Sequence, residues 1–90
     1  QSLRAFAQMF GLPIFWAASG SFDYTLGTGR PSTEREYPNG FWAYLADNPD
    51  AGRIFNAAMM AKAHGQVAAV LNGYDFSKFR QIADIGGGAG

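Results

Sequence analysis

The sequence predicts a mainly α chain that closes on one strand and a glycine loop, and three observations carry this. Apolar residues recur at helical spacing through most of the chain. Asn48-Pro49-Asp50 opens a long amphipathic segment that runs to Gly73. Arg80-Gln81-Ile82-Ala83-Asp84-Ile85 then reads as a short buried strand that feeds Gly86-Gly87-Gly88-Ala89-Gly90. Residues 1–79 therefore form a helical unit, and residues 80–90 the opening strand and loop of a second one.

Leu3, Phe6, Met9 and Phe10 set the first helix, as a core face or one side of an interface. Gly11 and Pro13 end it, because Leu12 precedes a proline and is disfavoured in the helical conformation. Residues 13–24 are aromatic-rich, with Phe15, Trp16, Phe22 and Tyr24 among small residues, and lean towards helix. Residues 27–40 read as a surface loop, bounded by Gly27-Thr28-Gly29-Arg30-Pro31 and Pro38-Asn39-Gly40. Phe41, Trp42, Tyr44 and Leu45 then make a short amphipathic helix.

Asn48 is suited to cap the next helix through its side-chain oxygen. Pro49 fits the first helical position, and Asp50 complements the positive end of the helix dipole. Ile54, Phe55, Ala58, Met59, Val67, Val70 and Leu71 mark the apolar side, and Gly73 is a suitable stop. Gly65 interrupts this helix at a cost of roughly 1 kcal/mol relative to Ala and predicts close packing against a neighbour. Residues 74–79 connect to the strand.

Composition narrows the function. Apolar residues make up 48% of the chain and aromatics 16%, too rich for disorder and suggestive of faces that something else covers. Seven basic and seven acidic residues cancel without a basic stripe, which disfavours nucleic acid and anionic membrane as partners. The absence of cysteine removes disulfides and thiolate chemistry and fits a reducing, cytoplasmic setting. One histidine and scattered carboxylates give no metal-ligand spacing. Gln1 in place of an initiator methionine, and a glycine run as a terminus, make both ends read as cuts.

The chemistry sits in Asp84-Ile85-Gly86-Gly87-Gly88-Ala89-Gly90. A loop that turns tightly beside a ligand needs glycine where side chains would block the approach. Two cofactors compete for it. A dinucleotide requires Gly-x-Gly-x-x-Gly, whereas the spacing here is Gly86-x-Gly88-x-Gly90. Asp84 is awkward beside a pyrophosphate but suits the cationic amino group of S-adenosylmethionine. A structural turn without ligand is the plain alternative.

Three blocks in order resemble the small-molecule O-methyltransferases of plants and bacteria, the family typified by caffeic acid O-methyltransferase and hydroxyneurosporene methyltransferase. They are Thr28-Gly29-Arg30-Pro31, the pair Gly40-Phe41-Trp42-Ala43-Tyr44-Leu45 and Asn48-Pro49 with Phe55-Asn56-Ala57-Ala58-Met59, and the run from Asp84 to Gly90. Together they cover residues 27–90, while residues 1–26 match only loosely.

The resemblance implies a parent with a helical N-terminal dimerisation domain and an α/β, Rossmann-like methyltransferase domain. This chain would supply the helical bridge and the first strand. It implies S-adenosylmethionine as cofactor, bound by Asp84, Gly86, Gly87 and Gly88, a homodimer, and a small hydroxylated aromatic, polyketide or polyene acceptor. Phe55 and Met59 would contact that acceptor, with Phe41, Leu45 and Lys62. The plain readings are a core face for Phe55 and Met59 and a solvent-facing Lys62. The family's catalytic base falls past Gly90, so His64 reads as a surface or packing histidine, Asn56 as a structural hydrogen-bonding residue, and the chain alone as inactive. A non-catalytic relative and a nicotinamide-dependent dehydrogenase remain the alternatives.

Overall fold

Five helices and one 3-10 turn order the computed structural model, which describes residues 3–88. Gln1, Ser2, Ala89 and Gly90 lie outside the described residues. The helices are α1 (Arg4–Phe10), α2 (Pro13–Gly20), α3 (Phe22–Thr28), α4 (Gly40–Asp47) and α5 (Pro49–Gly73), with the 3-10 turn at Ser32–Arg35. The mainly α expectation is borne out.

Each break has a local cause. Leu12 adopts φ −66° and ψ 139°, the extended conformation that a following proline favours, so α1 and α2 cannot merge. At the end of α3, Gly29 takes φ 71°, a left-handed cap open to glycine. Beside it the Thr28 hydroxyl donates to the Tyr24 carbonyl at 2.6 Å and accepts from the Arg30 amide at 3.2 Å. The Arg30 guanidinium then reaches Glu34 at 3.1 Å, so the turn feeds directly into the 3-10 segment.

Several expectations are corrected. Residues 27–40 are not one loop: α3 runs through Thr28, and Ser32–Arg35 is helical. Asn48 precedes α5, but its side chain makes no cap to that helix. Its side-chain amide donates instead to the Tyr44 carbonyl at 2.9 Å, which also accepts the Asn48 backbone N–H at 3.0 Å, so Asn48 closes the end of α4 twice over. Gly65 does not interrupt α5, and a Cβ there would meet nothing within 4 Å. Gly73 is the last helical residue, and the chain leaves the helix at Tyr74 in an extended conformation (φ −146°, ψ 135°).

Residues 80–85 form no strand. A strand exists through hydrogen bonds to a neighbour, and the described residues offer none. Ile82 and Ile85 are consequently exposed, Ile85 at 92%.

α5 packs against α1 and α4, while α2, α3 and α4 each touch the 3-10 turn. The fully buried apolar set is small: Met9, Ile14, Ala51 and Ala58. The larger adhesive is a ladder of aromatic rings. Phe6 stacks on Phe10 at 6.2 Å, Phe10 meets Phe15 at 5.6 Å, Phe15 meets Phe41 at 5.8 Å, and Phe41 meets Phe55 at 5.1 Å. The ladder crosses α1, α2, α4 and α5 in turn.

The radius of gyration is 16.7 Å, against roughly 12 Å for a compact chain of this length. Leu3, Trp16, Phe22, Leu26, Val67, Val70 and Leu71 are exposed. Patches of this kind drive association in water. The isolated ninety residues should therefore sediment as species heavier than one chain, whereas a sharp monomer with cooperative unfolding would show that these faces need no cover.

Candidate functional site

Beyond α5 the chain folds on itself before it reaches the glycine loop. The Asp75 carboxylate accepts hydrogen bonds from the Ser77 amide at 2.9 Å and the Ser77 hydroxyl at 2.6 Å. The Tyr74 ring lies against Phe76 at 4.9 Å and Phe79 at 6.3 Å, and the Lys78 ammonium sits 4.4 Å from the Tyr74 centroid. These contacts give the connector a defined shape, and residues 80–85 then lead to the loop.

In the loop, each glycine has a physical reason. Gly86 and Gly88 take φ 72° and 64°, where an L side chain is strained. Gly87 has an ordinary φ, but a Cβ there would collide with the Asp84 carboxylate. The carboxylate thus folds back over bare backbone. Asp84 and the three glycines form one unit, with an anion at its edge and no side chain to obstruct a ligand.

That unit returns to the helices. Gly86, Gly87 and Gly88 line a cleft of about 460 Å³ whose opposite walls are Trp42 of α4 and one stripe of α5. The stripe begins at Phe55 and Asn56 and continues through Met59, Met60, Ala63 and Val67. Steps of three and four residues keep these side chains on one face. Phe41 fixes the Trp42 wall from behind: its ring meets Trp42 at 5.2 Å, and Trp42 meets Phe55 edge-on at 5.8 Å. Trp42 itself stays 71% exposed.

Of the residues singled out in the sequence, Phe55, Met59, Gly86, Gly87 and Gly88 come together in this cleft, with Asp84 behind Gly87. Three do not line it. Phe41 sits within the ring ladder. Leu45 is half-buried on α4, where its carbonyl lies close over Gly52 at the start of α5. Lys62 is exposed. It sits at the margin of the stripe, about 60° round α5 from Met59.

Trp42 and Asn56 were not anticipated as cleft residues. Both signals were present: Asn56 lies three residues before Met59, and Trp42 neighbours the ring that holds Phe55. No hydrogen bond engages the Asn56 side chain among the described residues. His64 belongs elsewhere, in a groove between α1 and α5 with Gln8 and Met60. Among the described residues no cluster of His, Asp or Glu could hold a metal ion, and no helix is long and apolar enough to cross a membrane.

A family model described as an O-methyltransferase domain matches residues 19–90. A phenazine O-methyltransferase from Lysobacter antibioticus is 37% identical over 67 residues, 74% of this chain and 20% of that protein. The O-demethylpuromycin-O-methyltransferase of Streptomyces alboniger is 31% identical over 91 residues, 99% of this chain and 24% of that protein. The 3-amino-4-hydroxybenzoate 4-O-methyltransferase of Streptomyces cremeus is 34% identical over 91 residues, again 99% of this chain and 24% of that protein. The chain thus spans between a fifth and a quarter of the length of these curated relatives. No solved structure matches it.

The connector yields a test of its own. The two Ser77 donors hold the Asp75 carboxyl below the usual carboxylate range, the hydroxyl most strongly. A depressed carboxyl stabilises the turn above its unfolded pKa, and that contribution is lost as pH falls through the folded value. Replacing Ser77 by Ala removes the hydroxyl and should raise the Asp75 pKa towards its ordinary value. Carboxyl titration followed by NMR reads this directly, and an unchanged midpoint would refute the turn's geometry.

Proposed function

The chain belongs to the O-methyltransferase family, and from that membership we propose that the whole protein moves the methyl group of S-adenosylmethionine to a hydroxyl of a small aromatic, polyketide or polyene-type metabolite. One observation carries the reading: the glycine loop and the Phe55–Met59 face line the same cleft. Donor and acceptor sites must adjoin for direct transfer, because the reacting atoms have to approach in line.

The loop fits the proposed cofactor. Gly86 and Gly88 make a tight turn that presents backbone, and Gly87 lets the Asp84 carboxylate lie close to it. A carboxylate there favours a cationic amino group and opposes a pyrophosphate, which weighs against the nicotinamide alternative. When bound, S-adenosylmethionine would supply an electrophilic methyl group on its sulfonium, and Asp84 with Gly86, Gly87 and Gly88 would hold it. The residues of this chain bind and orient. Phe55 and Trp42 offer ring surfaces to a flat acceptor, Met59 adds a polarizable thioether, and the apolar stripe excludes water.

The substrates in the relatives' names, a phenazine, O-demethylpuromycin and 3-amino-4-hydroxybenzoate, make a hydroxylated aromatic the first acceptor to test. The exposed apolar residues of α1, α2 and α3 are suited to a second subunit, which supports a homodimer. The balanced charge and absent cysteines support a cytoplasmic setting.

Two substitutions in the whole protein separate the half-sites. Gly87→Ala drives a methyl into the Asp84 carboxylate and should weaken S-adenosylmethionine binding by about tenfold, roughly 1.4 kcal/mol, by calorimetry. Met59→Ala should raise the acceptor KM several-fold and leave cofactor affinity unchanged. If Met59→Ala lowers only the melting temperature, the residue is core and the acceptor assignment fails. Tight binding of NAD without any response to S-adenosylmethionine would overturn the function itself.

A further inference from the structure

Asn56 is out of character with its surroundings. It lies on a cleft-lining stripe of α5 whose next members are Met59, Met60, Ala63 and Val67. Its side chain is exposed, and among the described residues it has no hydrogen-bond partner. Apart from this amide, the side chains that line the cleft carry no polar group besides the Trp42 indole N–H.

The energetics of burial turn this into a constraint on the ligand. A molecule that fills the cleft strips water from Asn56. An amide desolvated without a partner loses its water hydrogen bonds and gains nothing in return. A wholly apolar occupant would incur that penalty, whereas one with a polar substituent beside the Phe55–Met59 face would escape it. Asn56 offers both a carbonyl acceptor and an amide donor. It is also fixed to a helix held by the ring ladder, so it reads position as well as polarity.

We propose that Asn56 is a specificity-determining residue: it hydrogen-bonds a polar ring substituent of the acceptor and so selects planar aromatics that carry a second hydrogen-bonding group beside the hydroxyl. The inference rests on the acceptor-cleft reading above. The rings supply affinity for any flat molecule, and Asn56 supplies the orientation that turns one hydroxyl towards the glycine loop.

The test compares the binding of 2-aminophenol, catechol and phenol to the whole protein, in wild type, Asn56→Leu and Asn56→Asp. Wild type should prefer both substituted probes over phenol by about tenfold or more. Asn56→Leu keeps the shape and removes the polar group, so the preference should collapse towards unity through tighter phenol binding and weaker binding of the other two. Asn56→Asp retains an acceptor oxygen and should keep most of the preference for these donor-bearing probes. An unchanged preference in Asn56→Leu overturns the proposal. So does a loss of S-adenosylmethionine affinity or of melting temperature with the preference intact, since either marks Asn56 as a tether for the loop or a structural residue. Failure of wild type to bind any of the probes overturns it as well. Discrimination in binding without methyl transfer to any probe would uphold Asn56 and refute the transferase reading.

Discussion

The contact between Phe41 and Phe55 is the one on which the site depends. Few side chains are fully buried, so the helices are held largely by edge-to-face rings. Each such pair contributes about 0.5–1.5 kcal/mol beyond its area. Phe41 takes part in three, with Phe15, Trp42 and Phe55. It is therefore the point where α2, α4 and α5 meet. With Phe41 turned inward, its neighbour Trp42 must leave α4 in another direction, and that direction is the wall of the cleft. Packing and site geometry are set by consecutive residues on one short helix.

α5 divides its circumference between these tasks. Ala51 and Ala58 are buried and let a neighbouring helix approach closely. Phe55 faces the rings of α4. The stripe from Asn56 to Val67 faces the glycine loop. A single continuous helix, about 37 Å long by its rise per residue, thus carries both a core contact and a wall of the cleft. Gly65 does not disturb this, since the backbone hydrogen bonds of a helix survive one residue of poor propensity when its neighbours hold their register.

How much was legible follows from which signals are local. The α1–α2 break was legible because Leu12-Pro13 restricts the backbone itself. The start of α5 was legible from Pro49, and the pairing of Phe55 with Met59 from helical periodicity alone. The three glycines were legible as a tight loop, although their separate reasons needed coordinates: two require positive φ, and one makes room for Asp84. What failed depended on distant partners. Residues 80–85 have the composition of a buried strand, but composition supplies no second strand. Asn48 sits at a capping position, yet its amide found the Tyr44 carbonyl first. Lys62 was aligned with Met59 by sequence separation, but at the margin of that face it stays exposed and does not line the cleft. Trp42 and Asn56 were passed over because each has an ordinary structural explanation that only the position of the glycine loop removes.

The cleft's chemistry then follows from an imbalance. Its walls are rings, thioethers, small apolar side chains and bare backbone, and the carboxylate at its edge lies behind Gly87. Surfaces of that kind bind flat apolar molecules with little regard to which way round they lie, because dispersion and hydrophobic burial are non-directional. Direct transfer between two ligands demands the opposite, a single orientation held to within a few tenths of an ångström. An apolar cleft can meet both demands only if the directional groups are few and fixed. In the proposed function the glycine loop would orient one ligand through its backbone and Asp84. On the other side the directional groups are the Asn56 amide and the Trp42 indole N–H, and of the two only Asn56 lies on the α5 stripe that faces the loop.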